Sequence, residues 1–504
     1  MSSDSRPRRW RRLLLVLVSV VTLLVLAIFA GVARVYVEAT VSTVGSTDFR
    51  NELVVPPLAP SRLGTDGIRT FELDMRPGRR EFLPGRATET WGFNGDYLGP
   101  TLRARRGEKV AVTVRNNLPE ASTVHWHGMH LPAAMDGGPH QMIAPAAAWT
   151  PTWSIDQPAA TLWYHPHPHG ATESHVRRGL AGMFLLDDDV STDLPLPSTY
   201  GVDDLPVIVQ DVRFDGAAFD SAHRVFRDAG FLGDRTMVNG ALAPYRNVAD
   251  ELLRLRLLNA STARTYTFEF SDLRAFFLVA TDGGLVERPS SLARLRLSPG
   301  ERAEIVVRMR PGERTVLRSG ELDAGLDFWT QRFSGGDDTF DLLELRAAQT
   351  LRPSPALPAT LASPTTPDGG DSVRERHFDL NLSGINGTPM DMDRIDFAVT
   401  RGTAETWVVR NNDGMPHNFH VHDVQFRVLA LNDGPPPAGP KDTIYLPPGS
   451  TARLAMRFDG PADTDSPYMY HCHLLWHEDL GMMGQFVVVD PGQAAGRPPT
   501  HHGH

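Results

Sequence analysis

The sequence predicts an all-β protein in which three β-sandwich domains follow an N-terminal hydrophobic helix. At 504 residues the chain is too long for one ordinary domain, and three domains are a reasonable expectation. Short runs of Val, Leu, Ile, Phe and Thr recur between turns, which 44 glycines and 40 prolines help to form. Three of these runs resemble one another and indicate three copies of one fold: Val110–Asn117, Leu255–Ala260 and Thr406–Asn412.

The N-terminal segment, residues 1–47, consists of a basic leader, a long apolar run and a stalk. Several arginines precede the apolar run from Leu13 to Ala33. That run is long enough to span a bilayer as a helix, with its N-terminus in the cytoplasm. The alternative is a cleaved signal peptide of a periplasmic or secreted protein, although Ala33 and Ala39 are weak cleavage sites. Paired arginines also resemble a degenerate twin-arginine export signal. We predict an exported protein, anchored at the extracytoplasmic face of the membrane.

Composition divides the rest of the chain. The predicted units are a first domain at 48–190, a second at 191–348, a linker at 349–371, a third domain at 372–490 and a tail at 491–504. The linker is rich in Pro, Ser and Thr, a composition that lacks regular structure. The tail ends in His501-His502-Gly503-His504, and we expect it to be flexible, as chain ends usually are.

The charge and cysteine content narrow the possible partners. A net charge of -10 argues against nucleic acid and agrees with a cationic reductant such as a metal ion. Cys472 is the only cysteine, so the chain forms no internal disulfide.

The surroundings of Cys472 are the most informative part of the sequence. His471 and His473 flank it, His477 follows five residues on, and Met482 follows ten residues on. On an extended strand Cys472 would face one side, while both flanking histidines would face the other. A thiolate with histidine and a thioether is the ligand set of an electron-transfer copper, and the opposite face can bind a second metal cluster. An inert buried thiol and a zinc site are the alternatives, although zinc sites usually contain several cysteines.

Three further His-x-His pairs favour copper ligation. Each lies in apolar sequence typical of a strand, and the spacing puts both imidazoles of a pair on one face. The pairs are His125 and His127, His165 and His167, and His420 and His422. With His471 and His473 they are enough to hold three copper ions, and His417 is free to join Cys472.

These motifs resemble those of three-domain bacterial multicopper oxidases, a group of laccases, cuprous oxidases and bilirubin oxidases. The resemblance covers roughly residues 48–490. It implies three cupredoxin-like Greek-key β-sandwich domains and four copper ions. By resemblance the type 1 copper ligands are His417, Cys472, His477 and Met482. The type 2 ligands are His125 and His420, and the type 3 ligands are His127, His165, His167, His422, His471 and His473. Because only the first and third domains supply ligands, the three-copper cluster should lie between them.

The resemblance also implies the activity. Electrons would enter singly at the type 1 copper, and four of them would reduce dioxygen to water at the three-copper cluster. Asp136 and Glu478 match acids that assist proton delivery in the family. Asp136 could instead be a turn residue, and Glu478 an ordinary surface charge. We expect a monomer, since one chain supplies every ligand.

The substrate is left open between a phenolic or other aromatic reductant and Cu(I). Asp413 and Met415 match residues at the type 1 entrance of the cuprous oxidases, and thioethers suit Cu(I). The region from Gln331 to Asp371 contains no methionine, however, and Trp476 favours aromatic donors. A cuprous oxidase would serve copper homeostasis by detoxification. A non-catalytic copper-binding protein is a further alternative, as are relatives that act as cell-division scaffolds and have lost copper ligands.

Overall fold

The chain folds into three two-sheet units preceded by a long helix, which confirms the predicted all-β class. The computed structural model describes residues 6–222, 229–322, 325–364, 366–432 and 434–499. Residues 1–5 of the predicted leader and residues 500–504 of the predicted tail lie outside the described residues.

Within the described residues, helices are few and mostly short. They are α1 (Arg6–Glu38), α2 (Thr172–Arg177), α3 (Asp189–Asp193), α4 (Phe328–Phe333) and α5 (Leu475–Asp479), with a 3-10 turn at Ala133–Met135. From Trp10 to Glu38, α1 is long and apolar enough to cross a membrane, by length and composition. Its apolar side chains are exposed over this span.

The first unit contains a six-stranded and a four-stranded sheet. The six-stranded sheet comprises Arg62–Leu63, Ile68–Leu83, Arg86–Phe93, Lys109–Asn116, Ala148–Trp149 and Thr152–Ser154. The four-stranded sheet has the order Leu102–Arg105, Gly182–Asp187, Ala160–His165 and His125–His127. Its core includes Trp126, Trp153 and Phe184, all buried between the sheets.

The second unit contains a six-stranded and a seven-stranded sheet, with a small hairpin of Phe214–Asp215 and Ala218–Phe219. The six-stranded order is Asn51–Glu52, Pro244–Asp250, Phe340–Arg352, Arg314–Gly320, Tyr266–Phe270 and Arg294–Leu297. The seven-stranded order is Ala241–Leu242, Arg235–Val238, Asp204–Val212, Leu252–Asn259, Arg302–Arg308, Phe276–Thr281 and Gly284–Leu292.

The third unit contains two five-stranded sheets. The first has the order Gly384–Ile385, Ser372–Asn381, Thr403–Asn411, Thr451–Phe458 and Phe426–Leu431. The second has the order Phe397–Thr400, Met483–Val489, Tyr468–His471, His417–Val421 and Thr443–Leu446.

The three runs that resemble one another in sequence occupy equivalent strands. Lys109–Asn116, Leu252–Asn259 and Thr403–Asn411 each pair in parallel with an early strand of their own unit. Each strand ends on a buried asparagine whose side-chain amide donates to backbone carbonyls of its own unit. The carboxamide oxygen of each accepts a hydrogen bond from the backbone N–H two residues on. This repeated turn is the physical basis of the sequence repeat.

Two strands bear on the predicted domain boundaries, which stay predictions. Asn51–Glu52, inside the predicted first domain, pairs with Pro244–Tyr245 in a sheet of the second unit. Phe340–Arg352 runs past the predicted start of the linker at Gln349. From residue 353 to 371, the described residues contain no helix or strand.

Candidate metal centre

Three buried ligand atoms meet in the third unit. His417 begins the strand His417–Val421, Cys472 follows the strand Tyr468–His471, and His477 lies on α5. The Cys472 sulfur is 3.7 Å from Nδ1 of His417 and 3.7 Å from Nδ1 of His477, and these two nitrogens are 3.0 Å apart. A thiol with two imidazoles suits copper, and the three atoms are close enough to bind one ion.

A short loop holds this group together. The Met482 backbone N–H donates to the carbonyl of His477 at 2.9 Å, and the Cys472 N–H donates to the carbonyl of Met482 at 3.1 Å. The Met482 side chain is buried among the same core residues as Cys472. Burial raises the pKa of the Cys472 thiol to about 12, so copper must displace its proton on binding.

Asp413 fixes the ring of His417. Nε2 of His417 donates to Oδ2 of Asp413 at 2.8 Å, which leaves Nδ1 directed towards Cys472. The hydrogen bond from His417 lowers the pKa of Asp413, so this carboxylate is charged at neutral pH. Met415 and Trp476, the other predicted substrate residues, are both partly buried, and Trp476 lies against Gly230.

The eight paired histidines form one buried cluster between the first and third units. Strand register brings them together: His165 lies opposite His125, and His420 lies opposite His471. The strand ends at His471, however, and Cys472 and His473 follow it outside regular structure. The side chain of Cys472 still points to His417 and His477, while the side chains of His471 and His473 point to the histidine cluster.

Two further strand predictions differ in detail. His167 lies beyond the end of Ala160–His165, because Pro166 has no N–H to continue the ladder. His422 lies one residue past the end of His417–Val421.

Within the cluster the imidazoles approach in sets. Nε2 of His471 is 3.1 Å from Nε2 of His167 and 3.3 Å from Nε2 of His422. The ring of His473 is centred 4.9 Å from that of His127 and 5.2 Å from that of His165. His125 and His420 have rings centred 6.0 Å apart.

Hydrogen bonds orient the rings for metal binding. Nδ1 of His125 donates to the carbonyl of Asp136 at 3.0 Å, and Nδ1 of His420 donates to the carbonyl of Asp442 at 2.8 Å. In both rings Nε2 is buried without a protein partner, and both ring nitrogens of His473 share that state. Buried polar atoms rarely stay unpaired. Fixing Nδ1 and freeing Nε2 is how proteins present histidine to a metal, so these residues fit copper.

Six of the eight paired histidines have a lowered pKa, which favours the neutral form that a metal ligand needs. Burial, reinforced by neighbouring rings, lowers the pKa of His127, His165, His420 and His422 well below its usual value. Burial lowers the pKa of His167 and of His473 to about 3. The lone pairs are therefore available at neutral pH.

Both predicted acids contact the cluster. Nδ1 of His422 donates to Oδ2 of Asp136 at 2.6 Å, and Oδ1 of Asp136 is 3.3 Å from Nδ1 of His125. Oε1 of Glu478 is 3.4 Å from Nδ1 of His167, and Oε2 is 3.2 Å from Nδ1 of His471. Glu478 is buried, so it is not a surface charge.

Sequence reasoning missed a buried ion pair that joins all three units at the cluster. Arg302 of the second unit donates to both carboxylate oxygens of Asp442 in the third unit, each at 2.7 Å, and to the carbonyl of Thr161 in the first at 3.0 Å. Oδ1 of Asp442 in turn accepts from Nε2 of His127 at 3.1 Å. No sequence motif indicates this pair, because Arg302 and Asp442 are distant in sequence from every His-x-His segment, although they lie beside the cluster in space.

Known proteins resemble this chain over most of its length. Two family models described as multicopper oxidase match residues 74–191 and 357–492. Multicopper oxidase mco of Staphylococcus haemolyticus is 34% identical to this chain over 454 aligned residues. The alignment covers 88% of this chain and 94% of the staphylococcal protein. Cell division protein FtsP of Escherichia coli is 36% identical to this chain over 446 aligned residues. That alignment covers 86% of this chain and 92% of FtsP. The solved structure of the laccase-like multicopper oxidase CueO from Ochrobactrum sp. superposes on this structure with a TM-score of 0.78 and 37% sequence identity. The superposition covers 87% of this chain and 100% of the CueO chain.

Proposed function

Because this chain belongs to the multicopper oxidase family, we propose that it is an active oxidase that reduces dioxygen to water. It takes electrons one at a time from a phenolic or other aromatic reductant, and four electrons reduce each dioxygen. The observation that carries the proposal is the position of Cys472 in a three-ligand group, while His471 and His473 belong to the eight-histidine cluster.

Four copper ions would supply this redox chemistry, one bound by His417, Cys472, His477 and Met482 and three bound by the eight paired histidines. The assignment within the cluster follows the resemblance to the family, and the proximity of His167, His422 and His471 supports one of its sets. His125 and His420 would hold the type 2 ion. The type 3 ligands would form two sets, His167 with His422 and His471, and His127 with His165 and His473.

Residues of the chain connect the two copper groups, orient the histidine rings and transfer protons. Covalent bonds link the Cys472 sulfur to both neighbouring imidazoles, giving a short path for electrons. Asp136 holds the rings of His125 and His422 from the side of the first unit. Glu478 lies between His167 and His471, where its carboxylate can accept a proton and pass it on during dioxygen reduction.

Aromatic reductants are the substrate class that we favour. CueO of Ochrobactrum sp. has oxidase activity towards lignin model compounds, and Trp476 offers an aromatic surface next to His477. A specific contact favours Cu(I) as the second candidate: Asp413 bonds the outer nitrogen of His417, and Met415 lies in the same loop. A carboxylate and a thioether could pass Cu(I) to that ring.

The protein is proposed to be exported and held at the membrane by α1. The segment after the helix is tied to the second unit, since the Val41 N–H donates to Oδ1 of Asp338 at 2.7 Å and Ser42 forms a bridge with Thr339. A helix retained at this position would place the folded units directly on the extracytoplasmic surface.

Replacing the single cysteine tests the electron path. We expect Cys472→Ser to abolish both the blue absorption and turnover with every reductant, because a hydroxyl cannot replace the thiolate. The serine is nearly isosteric, so circular dichroism and the histidine cluster's copper content should stay close to wild type. Turnover at the wild-type rate in this variant would contradict the proposal.

Oxygen uptake separates the candidate substrates. The copper-loaded chain is offered a methoxyphenol or chelated Cu(I) in parallel. Faster uptake with the phenol supports the aromatic substrate, and faster uptake with Cu(I) supports the second candidate. Absence of uptake with either would contradict the oxidase proposal and favour a non-catalytic role.

A further inference from the structure

The C-terminal end of α1 lies against the region around the proposed type 1 site. Tyr36 stacks on Phe328 of α4, with ring centres 4.6 Å apart, and meets Trp329 edge-on at 5.6 Å. The Arg332 guanidinium lies 4.4 Å from the centre of the Tyr36 ring. Helix α1 therefore reaches the folded units at α4.

An apolar cleft of about 830 Å³ opens between α1 and α4. Its lining includes Ile28, Val32, Val35, Trp329 and Met415. Thr330 of α4 donates to the carbonyl of Gly414 at 3.3 Å, so α4 is attached to the loop that carries Asp413. The cleft thus leads from the apolar helix to the loop beside His417.

The cleft lies at the depth of the outer leaflet if α1 spans a bilayer. About 20 residues cross the hydrocarbon core, and the run from Leu13 to Ala33 supplies them. At a rise of about 1.5 Å per residue, Ile28 lies in the outer half of the hydrocarbon and Val35 in the headgroup layer. Phe328 and Trp329 are 64% and 49% exposed, and Trp is enriched in that layer. A lipid surface would cover both side chains.

We propose that the type 1 entrance faces the membrane and that the cleft admits an alkyl-tailed hydroquinone from the bilayer, a substrate assignment that rests on the proposed oxidase function. The tail lies between α1 and Trp329, while the ring reaches the loop of Asp413 and Met415. Each hydroquinone loses two O–H hydrogens as two protons and two electrons and becomes a quinone. Two hydroquinones and one dioxygen yield two quinones and two waters.

The first experiment measures oxygen uptake by the full copper-loaded chain in phospholipid vesicles. A long-tailed hydroquinone is compared with the same ring without a tail. We expect kcat/KM to be at least about tenfold higher for the tailed compound, because burial of its methylenes supplies binding energy.

Two variants locate the effect. Trp329→Ser removes a wall of the cleft and should lower the preference for the tailed compound by most of that factor. Leu63→Ser replaces a side chain that is 63% exposed on the first unit and should leave the preference unchanged. Equal kcat/KM for both compounds in the unmodified chain would overturn the inference while the oxidase function stands. No uptake with either compound would overturn both.

The second experiment reads orientation without turnover. Since Cys472 is the only cysteine, Cys472→Ser gives a background in which Trp329→Cys or Leu63→Cys accepts a single nitroxide label. In vesicles, the label at 329 should be more accessible to dioxygen than to a hydrophilic nickel chelate, and the label at 63 should show the reverse. Chelate access at 329 equal to that at 63 would overturn the proposed orientation, whatever the activity.

Discussion

Asp136 holds two histidines of the cluster through different atoms. Its carbonyl accepts from Nδ1 of His125 and its carboxylate accepts from Nδ1 of His422. One residue therefore fixes the ring orientation and tautomer of a proposed type 2 ligand and a proposed type 3 ligand. Its side chain is buried, so a change of charge there is felt directly by both rings.

Asp136→Asn tests this role at the residue scale. We expect turnover to fall about 10- to 100-fold, as for other residues that orient metal ligands, because a neutral amide accepts the His422 hydrogen bond more weakly than a carboxylate does. The blue absorption should be retained, since Cys472 belongs to the other group. The measurement is kcat with a methoxyphenol together with the visible spectrum, and exposed Asp215→Asn serves as the control. A wild-type kcat would exclude the role.

At this scale, the sequence predicted site residues only where they lie in motifs. All the predicted copper-ligating histidines and Cys472 lie in two buried groups, because two-residue spacing fixes which face a side chain takes. Arg302 and Asp442 were missed. Their pairing depends on how the second and third units pack, which local spacing does not encode.

At the scale of elements, α5 links the two proposed copper groups to the first unit. It carries His477 and Glu478, and it ends at Asp479, whose carboxylate accepts from the backbone N–H groups of Thr172 and Glu173 at 2.8 and 3.0 Å. These N–H groups belong to the first turn of α2, which has no carbonyl partner for them within the helix. A residue of the third unit thus caps a helix of the first.

Asp479→Ala should loosen this contact. Losing a helix cap typically destabilises by about 1 kcal/mol, so we expect a lower thermal midpoint in the copper-free chain. Asp479→Asn keeps one acceptor oxygen and should lose less. Exposed Asp193→Ala is the matched control. An unchanged midpoint in the alanine variant would show that this cap adds nothing to stability.

Elements with a repeated sequence were predictable, and short helices were not. The three similar runs occupy equivalent strands, because each combines alternating apolar residues with an asparagine turn. Helix α5 has five residues, too few to show helical periodicity. The strand that was expected to carry Cys472 ends at His471, before α5 begins at Leu475.

At the scale of the whole molecule, a buried charge cluster joins the first two units. Glu304 accepts from Thr161 of the first unit at 2.6 Å, from Arg256 at 2.8 Å and from Arg254 at 2.9 Å. Burial alone would raise the pKa of Glu304, but the two guanidinium groups lower it to about 2. In the unfolded chain a glutamate has a pKa of about 4.3.

This difference predicts a pH-dependent stability. Because the folded pKa is the lower one, the contribution of Glu304 is complete above about pH 4.3 and is lost as the pH falls towards about 2. Glu304→Gln should therefore lower the thermal midpoint of the copper-free chain by several degrees at pH 7, since breaking a buried pair costs about 3–5 kcal/mol. The gap to the unmodified chain should narrow below about pH 4.

Thermal unfolding at several pH values checks this expectation, with exposed Glu321→Gln as the control. A gap that stays constant down to pH 3 would contradict the assigned cause. The three-unit architecture was predictable from length and repeats, whereas such contacts between units were not. Their partners are separated by 143 residues in the case of Thr161 and Glu304.

The long distance in sequence between residues of the histidine cluster has a consequence for how the protein is made. His167 and His471, whose Nε2 atoms lie 3.1 Å apart, are separated by 304 residues. The cluster therefore cannot close until synthesis has nearly finished and the last unit has docked on the first. The complete set of cluster ligands therefore exists only after that docking. A chain exported unfolded would have to bind its copper outside the cytoplasm, whereas a chain exported folded could bind it on either side of the membrane.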